Sequence, residues 1–350
     1  MSDADNSSIT KEELSLGKWY GLLPGLAMAS IIAGASLYLG KITILINDVI
    51  TAIVIGAVVR NFIGIQGIFK PGLSFILKKI LRLAIILLGM QISFQQVVNT
   101  GSRSLVIILF IVIIAIPLTY FIGKKLGLNQ EISTLLGVGS AICGATAVLA
   151  AGPAIKAKER DIALAVGTIF VFNTLALILY PVIGNLAHMS NITYGTWTGL
   201  AVQDVSSVVA TGFAFSPEAG QMATVVKLTR TVFIVPVVFL VGVIFNLKDQ
   251  EQARRADKKV DYLKIFPWFV LGFLLMAMIN SMGIFTESFR NAFNPITHFL
   301  ILAVMASVGS GLDFKEMKKV GLTFLYVGLA GMLIMSVLSL ALIKLLGIGY

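Results

Sequence analysis

The stretch MATVVKLTRTVFIVPVVFLVGVIF, residues 222–245, holds 22 residues that a lipid bilayer accepts and two, Lys227 and Arg230, that it rejects. The apolar run after that pair, Thr231 to Phe245, has 15 residues, fewer than the ~20 a helix needs to cross a hydrocarbon core of ~30 Å. The helix must therefore draw the pair into the bilayer. An i, i+3 pair lies on one helix face, and ionisable residues inside a membrane face a partner or an aqueous cavity. Snorkelling explains Lys227 without function; Arg230, one turn deeper, is harder to explain that way.

Working outward, the whole chain has the same character. It has 350 residues, of which 57% are hydrophobic and 13% charged, with a mean hydropathy of +0.93; soluble domains carry about 25% charged residues. A soluble fold is excluded. The expected class is an all-α polytopic membrane protein with eleven transmembrane helices, near residues 19–40, 45–63, 74–98, 104–123, 131–155, 160–184, 193–215, 218–245, 265–282, 295–312 and 320–346. A polar tail, 1–18, precedes them, and the first helix, within 19–44, stands outside the repeats described below. The net charge of +10 sits in short loops beside apolar runs, as the positive-inside rule requires, so no nucleic-acid partner is expected.

The loop 246–264, NLKDQEQARRADKKVDYLK, holds six Lys or Arg and belongs in the cytoplasm. Eleven spans then leave the N-terminus inside and the C-terminus outside. The patch KAKER at 156–160 would lie outside on this count. Were the fifth and seventh spans re-entrant hairpins, it would move inside and the overall orientation would survive.

Lys79-x-x-Arg82 in the third span and Lys227-x-x-Arg230 in the eighth occupy matching places. Five spans separate them, and an odd shift inverts orientation. Residues 45–184 and 185–346 are therefore expected to be inverted five-helix repeats, the common plan of secondary transporters. The fifth span, LLGVGSAICGATAVLAAGPAI, and the tenth, FLILAVMASVGSGLDF, both gather Gly and Ser at their middle, where a helix breaks to hold a substrate or ion. Close packing through small residues is the alternative for each. A competing frame matches GSAICGATAVLAAG, 139–152, with GLAVQDVSSVVATG, 199–212; those segments are two spans apart and invert only if both are hairpins. The five-span frame is preferred.

The expected substrate-binding residues are Lys227, Arg230, Arg82, Lys79, Ser140, Cys143, Gly144, Thr146, Ser206 and Ser207. Two basic pairs meeting across a repeat axis would hold an oxyanion, which the planar guanidinium fork suits. Few acids could neutralise them, chiefly Asp48, Asp204 and Asp313. Asp204, Gln203, Ser310 and Asp313 are the expected coupling-ion or ion-pair residues. Asn173 is read as an interhelical hydrogen-bonding residue rather than a substrate contact. Cys143 is the sole cysteine, which rules out an internal disulfide, and His188 and His298 are far apart; no metal, no cofactor and no enzymatic activity are expected.

GSAICGATAVLAAGPAIKAKERDIALAVGTIFVFNTLALILYPVIG, 139–184, followed by VKLTR, 226–230, with LRLAIILLG, 81–89, upstream, resembles the sulfate exporter family of bacterial inner-membrane proteins. The resemblance covers almost the whole chain after residue 20, and its grouping with the bile-acid symporter and sodium/proton antiporter superfamily implies inverted five-helix repeats with crossing broken helices. Members of the family commonly carry a His-Asp or His-Glu pair and an Ala-Gln where this chain has Gln203, Asp204, Ser206 and Ser207. Loss of that histidine removes a group that titrates near neutral pH. The expected function is alternating-access transport of a sulfate-like oxyanion across the inner membrane. The alternatives are a sodium- or proton-coupled carrier of organic anions and a non-transporting receptor or assembly partner. The expected partners are a small anion, Na+ or H+, and the lipid bilayer; a homodimer is compatible with this reading.

Overall fold

The computed structural model describes residues 20–42, 47–248, 265–313 and 321–347. The polar tail and the charged loop 246–264 fall largely outside the described residues. Among those described, every regular element is helical, and six helices are long and apolar enough to cross a bilayer.

The chain's contacts divide it into two units. The first lies within residues 1–84 and 294–313. It contains α1 (Leu23–Ile42) and α2 (Asp48–Val58), the latter capped by the Asn47 side chain and extended by a π-helical turn to Ile63. It also contains α3 (Lys70–Phe75), the first residues of α4 (Leu81–Leu88) and, after the second unit has intervened, most of α14 (Glu287–Gly311). Helices α2 and α14 cross through glycines. A β-carbon on Gly309 would fall 2.1 Å from the Ile53 carbonyl oxygen, and one on Gly56 would fall 2.5 Å from that of Ala306.

This overturns one expectation. The segment SVGSG does not break its helix: α14 runs unbroken to Gly311, and its small residues permit a close helix crossing. The tenth span therefore lacks the interruption that was to pair it with the fifth.

The second unit, within residues 85–293 and 314–350, is built around long helices and two hairpins. Helix α5 (Phe94–Lys125) begins with a capping box between Ser93 and Gln96. It leads to two short helices, α6 (Gln130–Ala141) and α7 (Ala145–Ala154), separated by Ile142, Cys143 and Gly144. The long helix α8 (Glu159–Leu186) follows, then a second short pair, α9 (Asn191–Ala201) and α10 (Val205–Phe215), separated by Val202, Gln203 and Asp204. Next come α11 (Pro217–Thr231) and α12 (Ile234–Lys248), which together make one span. Helices α13 (Trp268–Ser281) and α15 (Leu322–Leu345) complete the described part.

Arms of 10 to 12 residues reach about 15–18 Å at 1.5 Å per residue, half of a bilayer core. Each pair therefore either continues onward in line or turns back, and both turn back. In α9–α10 the phenol of Tyr194, near the start of the first arm, donates to the Thr211 carbonyl near the end of the second, and its ring stacks on Phe215 with centroids 3.9 Å apart. In α6–α7 the interior residues Gly139 and Val148 face each other across the turn. Asn129, which caps α6, donates to Asp161 beside the end of α7.

The hairpin bases lie at opposite ends of α8. Asp161 is at its start, whereas Gly184, at its end, meets Tyr194 and Phe215. With 28 residues, α8 is about 42 Å long by the same rise and spans the core. The fifth and seventh expected spans are thus each a hairpin of two half-length helices rather than one continuous crossing helix. Gly242 of α12 lies beside Ala154, so the KAKER patch and the end of α12 that leads into the charged loop share one end of the unit.

Candidate functional site

The two hairpins meet tip to tip. Gly144 adopts φ +65°, a left-handed conformation open to glycine at no steric penalty, and a β-carbon there would lie 3.2 Å from the Asp204 backbone. Midway along α8, the Asn173 side-chain oxygen accepts the backbone N–H groups of both Gln203 and Asp204 at 3.2 Å. This anchors the second tip at the centre of a spanning helix, and it matches the interhelical role read from the sequence.

Breaking a helix strands its last carbonyls and its first amides. At these tips the carbonyls are met by Lys227 and Arg230, both fully buried. The Lys227 ammonium donates to Ile142 at 2.8 Å, to Val202 at 3.0 Å and to Gln203. The Arg230 guanidinium donates through Nε to Ala141 at 2.9 Å and through Nη2 to Ser140 at 2.7 Å. Its Nη1 reaches Leu200, Val202 and Gly199. Each cation bridges both hairpins, and both stand where the negative ends of α6 and α9 converge.

The positive ends of α7 and α10 leave the same tips. Asp204 caps α10, its carboxylate accepting from the Ser206 backbone N–H at 3.0 Å and from the Ser206 hydroxyl. The N-terminus of α7, at Gly144, has no side-chain cap, and Thr146 there is exposed. Asp204 and Ser206 are half-buried. Behind the tips, Gln203 donates to the Ser140 hydroxyl at 3.3 Å, while its buried side-chain oxygen has no partner among the described residues.

The structure thus gathers Ser140, Cys143, Gly144, Gln203, Asp204, Lys227 and Arg230 at one crossing, with Thr146, Ser206 and the buried Ser207 on the arms that leave it. It treats the other four expected site residues differently. Lys79 and Arg82 are exposed and belong to the first unit, so the two Lys-x-x-Arg pairs are not equivalent. Asp313 pairs with Arg60 at 2.5 Å, and Ser310 is buried beside Gly56 in the crossing of α2 and α14. Asp48 pairs with His298 at 2.6 Å.

Sequence reading did not anticipate the backbone carbonyls as the main partners of the two cations. Their signal is indirect: two pairs of short helical arms, each pair divided by a three-residue break, on either side of an unbroken helix of 28 residues.

Residues 24–328 match the family described as conserved hypothetical protein 698, and the chain belongs to it. It is 38% identical over 287 residues to a UPF0324 membrane protein of Clostridium tetani, covering 79% of this chain and 83% of that one. It is 34% identical over 333 residues to a UPF0324 membrane protein of Streptococcus agalactiae, covering 93% and 98%. A UPF0324 membrane protein of Bacillus cereus is 31% identical over 332 residues, covering 94% and 96%. No solved structure matches.

Proposed function

We propose that this member of the conserved hypothetical protein 698 family is a secondary transporter that moves a small sulfate-like oxyanion by alternating access. The observation that carries this reading is the meeting of two re-entrant hairpins, based at opposite ends of α8, at tips stapled by buried cations. Half-helix termini that meet inside a bilayer are the means by which such carriers hold ions. Helix N-termini bind anions through their free amides and dipole, and here two of them leave one point. Lys227, Arg230 and a single acid, Asp204, give that point an excess of positive charge. In this reading the basic pair supplies field rather than direct contacts, because its donors are directed at backbone carbonyls. The Thr146 hydroxyl and the amides of α7 are the groups that would touch the anion.

The same geometry supports an internal repeat in a revised frame. Hairpin plus following helix covers residues 130–186 in one copy and 191–248 in the other, segments of 57 and 58 residues by subtraction. Their hairpins have bases at opposite ends of α8, so we read them as inverted copies; the frame is the one that matched 139–152 with 199–212.

The test is direct. Purified protein in liposomes should take up labelled sulfate, or a related sulfur oxyanion, down an imposed gradient, with excess carboxylate failing to compete. Competition by carboxylates would move the assignment to organic anions. Absence of flux for every anion in a broad panel, with no thermal stabilisation by any of them, would end the transporter reading.

A further inference from the structure

The Lys227 side chain has three protons and faces three acceptors, the carbonyls of Ile142, Val202 and Gln203. One acceptor belongs to the first tip and two to the second. All lie where the chain has left helical geometry and lost the usual amide partner. The ends of α6 and α9 add the negative poles of their dipoles from either side. Lys227 is fully buried, and among the described residues no carboxylate lies within 4.0 Å of its nitrogen. A ring of backbone oxygens therefore balances its charge. A neutral amine would donate only two hydrogen bonds; three acceptors fit the ammonium.

Carbonyls freed by unwound helices are also the ligands that transporters offer to a coupling Na+, and hard oxygen donors suit small hard cations. Lys227 comes to the ring from α11, a neighbouring helix, on a four-carbon stem that fills the approach to it. Arg230 differs. Its planar fork spreads over carbonyls of residues 140, 141, 199, 200 and 202, a wider surface than one small ion could satisfy.

We propose that the crossing of the hairpin tips is a monovalent-cation site whose resident cation is the Lys227 ammonium, so that the tips close without sodium. A consequence follows for the variant Lys227→Ala. Removing the stem opens a cavity that ends in an intact set of carbonyls, and a free Na+ or a small alkylammonium ion then takes the vacated place.

Thermal unfolding of full-length protein in detergent tests this at constant ionic strength in NaCl, KCl, ethylammonium chloride and choline chloride. Wild type should unfold at the same midpoint in all four salts. Lys227→Ala should unfold lowest in choline and be restored by sodium or ethylammonium, with a rise that grows with the logarithm of cation concentration. Sodium-selective stabilisation of wild type would overturn the proposal, as would a variant equally unstable in every salt. If the alanine variant is recovered only when purified in sodium or ethylammonium, that selectivity is the expected result in another form. Failure of both Lys227→Ala and Lys227→Ser to be recovered in any of the four salts also overturns it. None of these measurements involves the transported substrate, so their outcome is separable from that of the flux assay.

Discussion

The Lys227 ammonium on α11 donates a 2.8 Å hydrogen bond to the carbonyl of Ile142 at the tip of the α6–α7 hairpin, 85 residues away in the chain. Together with its bonds to Val202 and Gln203, this contact ties two hairpins that share no backbone hydrogen bonds across the tips. The same is true of Arg230, which bridges Ser140 and Ala141 to Leu200 and Val202.

Arg230→Lys should therefore be destabilising although it keeps the charge. An ammonium has three donors and cannot cover carbonyls spread over both hairpins. Each carbonyl left buried and unpaired costs about 1–3 kcal/mol. A fall in thermal midpoint, larger for Arg230→Gln than for Arg230→Lys, is expected; an unchanged midpoint in both would show that the carbonyls find other partners.

Asn173→Leu is nearly isosteric and removes the acceptor that holds the amides of Gln203 and Asp204. The second tip loses its anchor to α8, and the buried N–H of Gln203 is left unpaired at about 1–3 kcal/mol, with the half-buried N–H of Asp204 losing the same acceptor. Anion flux in liposomes should drop to background while membrane insertion persists. Asn173→Asp, which retains an acceptor, should keep more activity than the leucine variant, and the reverse order would sink the assignment.

Gly144→Leu tests the tip itself. The left-handed backbone disfavours any side chain, and the new β-carbon would approach Asp204 to 3.2 Å. Loss of flux in a protein that still inserts and elutes as a single species is expected. Wild-type flux would mean that the tip-to-tip contact is not needed for transport.

Topology can be read by thiol labelling, since the native Cys143 is buried. Lys158 and Asn191 are exposed and stand at opposite ends of α8. Lys158→Cys should react with an impermeant maleimide only from the cytoplasmic side and Asn191→Cys only from the other. The reversed pattern, Lys158→Cys labelled only from outside and Asn191→Cys only from the cytoplasm, is what eleven crossing helices would give and would contradict the re-entrant arrangement.

Gly309→Val serves as a packing control in the first unit. Its side chain would begin 2.1 Å from the Ile53 carbonyl oxygen, so α2 and α14 must separate. Expression or thermal stability should fall steeply. A fully stable variant would mean that this glycine is not needed for close packing.

What the sequence by itself determined was the environment and the unusual residues. The apolar runs required a bilayer, because a chain with 13% charge has too little polar surface to stay in water. The 15-residue run after Arg230 required that Lys227 and Arg230 lie inside the span, as a matter of helix length alone. The Gly- and Ser-rich core around ICG marked one place where a helix stops, whereas the same signal at SVGSG marked a stretch that stays helical, and VQD stood out only as a polar island in an apolar run. Tertiary structure alone decided in which direction the chain continues after a stop, since an arm of 10 to 12 residues carries the same local signals whether the next arm runs onward or turns back. That choice rests on contacts between residues far apart in sequence, such as Tyr194 with Phe215 and Asn129 with Asp161. It also decided which small-residue stretch breaks and which merely packs: the carbonyls freed at Ile142 and Val202 find cations on α11, whereas SVGSG lies against the backbone of α2 and stays helical. A buried cation shows in one dimension that it needs a partner. Only the folded chain reveals that the partners are backbone carbonyls, which every residue carries and which therefore leave no mark in the sequence.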